Sequence, residues 1–541
     1  MTDPQLAAPA TDASQKQKKS KKEKKEKKAR LEDKDQAKDE RRKDKKAKKA
    51  KRAQAEDTFT EPDSKRTKTA AQAKPAAAPS NAKVPATSHP AVTIEDATAF
   101  YEKHQISVDG DMGHRPYTEF SHAPFDADIM QACGEFERPS PIQAACWPVV
   151  HARRDVIGIA KTGSGKTFAF AIPAIQHVTN RLANEKQPSG KKDKSTAVAR
   201  PMMLVLAPTR ELAIQIEEQC VKACQGVTIN AACVYGGVSR GAQIGALRQA
   251  APLLLIATPG RLQDLVEDGQ VDLSNVSFLV LDEADRMLDI GFERAIRQII
   301  SHATYSPRQT VMFSATWPES IRKLAHDFLA PDAVKITIGS DNLSVNHDVT
   351  QVVEVLEPFG KNRRLEAILR KYHESRTNRI LIFALYKKEA DRLEQMLRQR
   401  GYTVGSIHGD KPQKERLEAL NAFRDGSFPL LVATDVAARG LDIPNVEYVI
   451  NYTFPLTIDD YIHRIGRTGR AGKKGVAHTF FTVDDKAHSG ELINVLKSAN
   501  VPIPPELLKF GTTVKKKEHK EYGAFFKEID PNVKGTKIKF D

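Results

Sequence analysis

The sequence predicts an α/β protein of two tandem parallel-sheet domains behind a long lysine-rich tail. Two observations carry the domains: a first series of short apolar runs separated by amphipathic helices, and a second series of the same kind after a polar Gly/Asp/Asn/Ser stretch. Apolar runs alternating with helices are the pattern of β-α-β units, whose strands are covered on both faces. The third observation is an N-terminal segment almost devoid of large apolar side chains, which cannot build a core of its own. At 541 residues the chain has room for two or three domains.

Taken in order, residues 1–95 are expected to be a disordered basic tail. Residues 16–52 repeat Lys-Lys-Glu-like units that favour helix locally, yet offer no apolar face by which a helix could dock. Residues 70–92 turn to Ala, Pro and Ser, a linker composition. The first domain is expected over residues 96–338, with strands at 156–160, 202–207, 253–257, 278–281 and 311–313 and an exposed polar loop at 183–200. A linker at 339–349 leads to the second domain at 350–510, with strands at 380–384, 404–408, 430–433, 448–452 and 477–481. A second basic tail closes the chain at 511–541.

The net charge of +15 sits at the ends: residues 1–90 hold 26 Lys plus Arg against 14 Asp plus Glu, residues 511–541 hold 8 against 5, and the stretch between is neutral. Basic flexible ends suggest a polyanionic partner such as nucleic acid, with a purely solubilising tail as the alternative. The apolar runs are strand-sized and fall short of the ~20 residues of a membrane span. The N-terminus lacks the apolar stretch of a secretory signal, so an intracellular protein with no membrane role is expected. The five cysteines are odd in number and form no Cys-x-x-Cys pair. Leu212, Ile216, Cys220 and Cys224 recur at helical spacing, which reads as an apolar stripe rather than a metal pair.

Chemistry concentrates in three places. Ala160-Lys161-Thr162-Gly163-Ser164-Gly165-Lys166-Thr167 follows a predicted strand and opens a predicted helix, the context of a phosphate-binding loop. Its glycines let N–H groups face phosphate oxygens, and the helix N-terminus adds a favourable dipole. Lys166 is expected to reach the β- and γ-phosphates and Thr167 to hold Mg2+, which makes ATP and Mg2+ the expected cofactors. The strand at 278–281 ends in Asp282-Glu283-Ala284-Asp285; Asp282 is expected on the metal and Glu283 on the attacking water. In the second domain, His463-Arg464-Ile465-Gly466-Arg467-Thr468-Gly469-Arg470 spaces cationic groups with glycines, so Arg467 and Arg470 are candidate arginine fingers from across a cleft.

With these residues in place, residues 115–510 resemble a DEAD-box RNA helicase of superfamily 2. The further motifs stand in family order: Phe136 with Pro139-Ser-Pro-Ile-Gln143, Pro208-Thr-Arg-Glu-Leu212, Gly236-Gly237, Thr258-Pro-Gly-Arg261, Ser314-Ala-Thr316, Leu381-Ile-Phe383, Gln413 with Arg416, and residues 433–442. Ala384-Leu-Tyr386 departs from the commoner small polar residues of its motif. The resemblance implies two RecA-like domains that ATP and RNA draw together from an open state. It implies adenine recognition by Gln143 with Phe136 and an upstream aromatic, Phe120, and ribose contact by Asp442. Thr209, Arg210, Gly237, Thr258, Gly260, Arg261, Arg416, Thr434 and Arg439 match positions that grip the RNA sugar-phosphate backbone. Ser314 and Thr316, with Asp285 and His463, match positions that couple hydrolysis to closure.

Within the family, the tail, Phe383-Ala-Leu-Tyr-Lys-Lys388, Lys515-Lys-Lys-Glu-His and Tyr522-Gly-Ala-Phe-Phe526 are most like fungal pre-ribosomal members. That likeness implies ribosomal precursor RNA as substrate, pre-ribosomal particle proteins as neighbours, a nuclear and nucleolar location, and a monomer. The rival readings are an ATP-gated RNA clamp, a DNA translocase of the same superfamily, and a small-molecule ATPase. The intact Glu283, Arg467 and Arg470 favour turnover, and the Gln143 motif and the Asp-Glu-Ala-Asp spelling favour RNA.

Overall fold

The computed structural model describes residues 92–110, 113–161, 163–185, 198–339, 348–435, 443, 445–470 and 473–513. The expected tail at 1–95 lies almost wholly outside them, as do most of the linker at 339–349 and most of the tail at 511–541.

The first sheet contains β1 (Ile106–Asp109), β2 (Val156–Ile159), β3 (Met203–Leu206), β4 (Ala231–Val234), β5 (Leu254–Ala257), β6 (Phe278–Leu281), β7 (Gln309–Ser314) and β8 (Val334–Ile338). Their order is β1-β8-β2-β7-β6-β3-β5-β4. Every pairing is parallel except β1 with β8. The second sheet contains β9 (Val349–Val355), β10 (Ile380–Ala384), β11 (Val404–Ile407), β12 (Leu430–Thr434), β13 (Tyr448–Asn451) and β14 (Gly475–Phe481), ordered β11-β12-β10-β13-β14-β9 and parallel throughout. The two tandem RecA-like α/β domains are therefore as expected.

Side-chain alternation splits each domain's core into two layers. Met203 and Val205 join Trp147, Phe170 and Phe313 on one face of the first sheet, while Leu204 and Leu206 join Leu255, Leu281 and Met312 on the other. In the second domain Leu381, Phe383 and Leu431 face one layer, and Ile380, Ile382 and Leu430 the other. Gly158 of β2 pairs with Phe313 of β7, and a Cβ there would stand 2.3 Å from the Phe313 ring. Leu212, Ile216, Cys220 and Cys224 are all buried in the first layer, along the inner face of the helix Arg210–Ala223.

All ten strands read from apolar runs are present, two with the same ends and the rest with ends moved by one or two residues. Four are additional: β1, β4, β8 and β9. β1 is a four-residue strand with alternating half-exposure, β4 is an Ala-rich edge, and β8 and β9 carry polar residues between their valines and isoleucines. Of these only β4 is apolar throughout, and it is a short edge strand of small, half-buried residues. The helix Lys166–Asn184 runs to the edge of the expected loop at 183–200; Ala199 bridges to Val271, and residues 186–197 lie outside the described residues.

Candidate active site

The carboxyl ends of the first sheet divide into two halves. β2, β7 and β6 are neighbours, and they lead into the phosphate loop, end at Ser314 and lead into Asp282. β3, β5 and β4 are neighbours on the other side, and they lead into Thr209, Thr258 and Gly237. A parallel sheet presents ligands at this end, so the strand order separates the residues expected at the nucleotide, the nucleotide half, from those expected at RNA, the RNA half.

In the nucleotide half, Ala160 is buried at the end of β2, and its N–H donates to the Ser314 carbonyl at 3.1 Å. The loop turns through Gly163 (φ 80°) and Gly165 (φ 94°), the latter capping the helix Lys166–Asn184. Left-handed backbone of this kind favours glycine. A Cβ at Gly165 would also stand 2.6 Å from Ser140 Oγ and 2.8 Å from Gln143 Nε2. Gln143 Nε2 donates to the Gly165 carbonyl at 3.0 Å, and its Oε1 accepts from the Ser140 N–H at 2.9 Å. The expected adenine reader thus also buttresses the phosphate loop. Lys166 is buried with Nζ on the Ala160 carbonyl at 3.0 Å. Ser164 Oγ, in the cavity wall, has no hydrogen-bond partner among the described residues. Thr162 lies outside the described residues, and Lys161 is exposed away from the cavity lining.

Asp282 is 3% exposed at the end of β6. Burial pushes its carboxyl up to about 7; the Lys166 charge opposes this, and the Glu283 carboxylate adds to it. Glu283 is buried in left-handed backbone (φ 51°, ψ 54°) and donates its N–H to Asp282 Oδ1 at 3.0 Å. Asp285 turns the other way: its Oδ2 accepts from Ala315 N–H (3.1 Å), Thr316 N–H (3.0 Å) and Thr316 Oγ1 (3.0 Å). Asp285 therefore ties the Asp-Glu-Ala-Asp turn to the Ser314-Ala-Thr316 turn. Ser314 Oγ itself is buried without a partner among the described residues.

The second domain closes this half. One cavity of about 400 Å³ is lined by Lys166, Thr167, Asp282 and Glu283 from the first domain and by Arg467, Arg470 and Lys473 from the second. Arg470 lies 3.4 Å from where a Cβ on Gly163 would be. His463 and Arg467 share a small crevice with Glu283 and Asp285. Phe136 lines the cavity at 53% exposure, while Ile443, Asn445 and Val446 form the opposite wall. Asp442 and Arg439 lie outside the described residues.

Phe120, like Ala160 and Lys161, is an expected nucleotide contact that does not line the cavity. It packs against Trp147 at 6.1 Å in the core and is not part of the lining, because the turn Phe120–His122 directs its apolar ring inward. Arg138, Gln215, Gln219 and Lys473 line the cavity without having been singled out from the sequence. Arg138 lies inside the Phe136–Gln143 motif and Lys473 three residues past Arg470, so proximity to a motif was the available signal.

In the RNA half, Thr209 caps its helix, with Oγ1 accepting from the Leu212 N–H at 3.3 Å. Gly237 (φ 82°) lets the Arg210 guanidinium lie where a Cβ would be, 2.3 Å from Nη1. Arg261 is held by Gln243 Oε1 (2.5 Å) and the Val238 carbonyl (3.2 Å). Thr258 and Gly260 start the helix Pro259–Glu267, and Thr434 ends β12, in register with Ala384 of β10. Arg416, expected on the RNA backbone, is engaged with protein in this structure. It is buried, and Nη2 pairs with Glu211 Oε1 across the two domains at 2.6 Å. Gln413 Nε2 donates to the same oxygen at 3.0 Å, and Arg210 Nη1 reaches Gln413 Oε1 at 3.5 Å. Glu211 was not among the expected site residues; 205 positions separate it from Arg416, and only the fold joins them. The domains are thus apposed in this structure, touching at this rim and at the nucleotide cavity.

The donor set fits a nucleotide with a divalent cation: a lysine and two arginines for phosphate charge, a desolvated carboxylate and an adjacent hydroxyl for the ion.

The comparisons agree with this geometry. The chain matches the family described as DEAD/DEAH box helicase over residues 140–324 and that described as helicase conserved C-terminal domain over residues 360–472. It is 56% identical over 423 residues to the DEAD-box ATP-dependent RNA helicase 5 of Arabidopsis thaliana, covering 78% of this chain and 77% of the relative. It is 49% identical over 451 residues to the ATP-dependent RNA helicase DBP3 of Saccharomyces cerevisiae, covering 82% and 83%. Among solved structures it is similar to Mss116p bound to ssRNA and AMP-PNP (28% identical, TM-score 0.62, covering 75% of this chain and 84% of that one). It is also similar to S. cerevisiae Dbp5 bound to RNA and ADP BeF3 (26% identical, TM-score 0.58, covering 73% and 94%).

Proposed function

This chain belongs to the DEAD-box family of ATP-dependent RNA helicases, and from that premise we propose that it remodels ribosomal precursor RNA in the nucleolus by local strand separation or protein displacement. It is an RNA-dependent ATPase that binds ATP and RNA. The observation that carries the assignment of its parts is the shared cavity: Lys166, Asp282 and Glu283 from one domain face Arg467 and Arg470 from the other.

In this reading Lys166 binds the β- and γ-phosphates, Glu283 orients the attacking water, and Arg467 and Arg470 stabilise charge on the transferring phosphoryl group. Thr167 and Asp282 would hold Mg2+, which supplies Lewis-acid charge to the phosphates when bound. Gln143 and Phe136 select adenine. Thr209, Arg210, Gly237, Thr258, Gly260, Arg261 and Thr434 take the RNA backbone, whose contacts position the strand without reading sequence. Arg416 acts with Glu211 to close the domains over it. Asp285 carries the state of the nucleotide to Thr316, and His463 senses it from the second domain. ATP and RNA both prefer the closed arrangement, so together they shift the population toward it. A strand bent along residues 258–262 cannot stay paired.

The ribosomal assignment rests on the basic ends, which suit a site dense in structured RNA, and pre-ribosomal proteins are the expected neighbours of a monomer working there. Two measurements test the reading. Lys166→Ala should abolish RNA-stimulated ATPase with little change in Tm; normal turnover by the folded variant would remove the site assignment. RNA crosslinks in cells should concentrate on ribosomal precursor RNA, and a spread over messenger RNAs would refute the biological role.

A further inference from the structure

The RNA rim carries one side chain that the local fold does not call for. Tyr386 is the N-cap of the helix Lys387–Gln399, in extended backbone (φ −111°, ψ 143°), and makes no capping hydrogen bond with its side chain. Short oxygen-bearing residues are favoured there because they accept from the first-turn N–H groups, which a phenol at the end of a ring does not do. The helix entry is fixed by another residue. Glu389 Oε2 accepts from the Leu385 N–H at 3.0 Å, and its Oε1 accepts from Thr453 Oγ1 at 2.7 Å. Tyr386 is 64% exposed, and no hydrogen bond or ring contact holds its side chain among the described residues. Neither packing nor capping accounts for an aromatic at this position.

Its place does suggest a role. Tyr386 stands two residues beyond Ala384, which is in register with Thr434. The next residue, Lys387, bonds Asp410 at 2.6 Å, in the turn that leads into Gln413 and the Arg416–Glu211 junction. Lys387 and Lys388 are both exposed beside it. An exposed ring flanked by cations, on a rim otherwise lined by small polar and guanidinium groups, has the makeup of a single-strand platform. Cations hold the backbone, and the aromatic face takes a base at ~1–3 kcal/mol, whatever its identity.

We propose that Tyr386 stacks on one unpaired nucleobase of the bound RNA, adding a base-face contact to the backbone grip; this rests on the RNA assignment of the rim. A paired base cannot offer its face to a side chain, so the contact favours the separated strand over the duplex.

The test pairs Tyr386→Thr and Tyr386→Phe in the full chain with unpaired RNA oligonucleotides and a non-hydrolysable ATP analogue. One nucleotide at a time is made abasic or replaced by fluorescent 2-aminopurine. Threonine is a good N-cap, so Tm should hold or rise and any loss is not a folding defect. Unsubstituted protein should lose about five- to a hundredfold in affinity when one particular nucleotide is abasic. It should also quench 2-aminopurine at that position. Tyr386→Phe should keep both effects, and Tyr386→Thr should lose both. Equal abasic penalties for the unsubstituted and Tyr386→Thr proteins at every position, within twofold, would overturn the proposal. That result would make the ring a surface for something other than RNA. Absence of RNA-stimulated ATPase in the unsubstituted chain would instead refute the RNA reading of the rim, so the two failures are distinguishable.

Discussion

Glu283 sits in left-handed backbone, a conformation that costs a non-glycine residue on the order of 1–3 kcal/mol and is kept only where its surroundings enforce it. The strain turns its carboxylate toward the cavity while the Asp282 side chain accepts its N–H. Because Glu283 is assigned to water rather than to phosphate, Glu283→Gln should retain ATP and RNA binding and lose hydrolysis. Filter binding beside a phosphate-release assay checks this, and loss of ATP binding with the fold intact would show the role to be wrong. Arg467 and Arg470 line the same cavity and are assigned to the transition state in the function proposed above. Arg467→Ala or Arg470→Ala should lower kcat by about a thousandfold, with ATP affinity of the separated domains hardly moved. Single-turnover hydrolysis at saturating ATP and RNA decides, since a residue that only binds RNA would leave that rate unchanged. Residues such as these could be found in the sequence because each lies inside a short run whose chemistry is local. Glu211 also lies inside such a run, Pro208–Leu212, yet its part could not be read there: its partner is more than two hundred positions away, and a glutamate at a helix start has the plain reading of a favourable charge near the dipole.

Among the elements, the strands recovered from the sequence are those buried on both faces and built around a run of apolar residues. The ones missed lie at edges or alternate with lysine, threonine and glutamate, as in β8 and β9, and alternation over so few residues resembles a loop. The helix Lys166–Asn184 carries a further feature invisible in composition. Its His177 bonds Ser277 Oγ at 2.8 Å, and burial, with Arg153 and Arg181 nearby, pushes the imidazole down to about 4. The unfolded chain takes up this proton near pH 6.5, before the folded one does, so stability present above pH 6.5 is lost as pH falls toward 4. The loss attributable to His177 is on the order of 1–2 kcal/mol after solvent screening. Urea midpoints measured across that window should fall less steeply for His177→Gln than for the unsubstituted protein. Equal slopes would show that the ring is not held neutral.

For the whole molecule, residues 1–90 hold most of the excess positive charge and none of the catalytic motifs. As a tethered polycation this segment should hold structured RNA near the cleft by releasing counterions. Each phosphate it neutralises steepens the fall of log K with log salt by about 0.7 to 0.9. Deleting residues 1–90 should therefore weaken RNA binding most at low salt and flatten that dependence, leaving the limiting ATPase rate in place. A titration at several salt concentrations, full-length beside truncated, checks it; coincident lines would reduce the tail to a solubiliser. Composition was enough to mark this segment, and strand series were enough to count two domains. How the two halves meet was beyond either, because apposition depends on side chains drawn from loops far apart in the chain.

Among the described residues the domains meet at the rim, where Arg416 pairs with Glu211 and Arg424 lies 3.8 Å from Glu218, and at the nucleotide cavity, where the arginines stand over the phosphate loop. In mechanical terms, a rigid body held at one small patch can still swivel about it, whereas a second patch some distance away removes that freedom. Each ligand half of the first sheet owns one of the two pins. With only one pin engaged, the second domain is a loose hand on a pivot, able to rock but unable to bear load. With both engaged, the same parts form a clamp that resists rocking, as a grip on a bent nucleic acid strand would require.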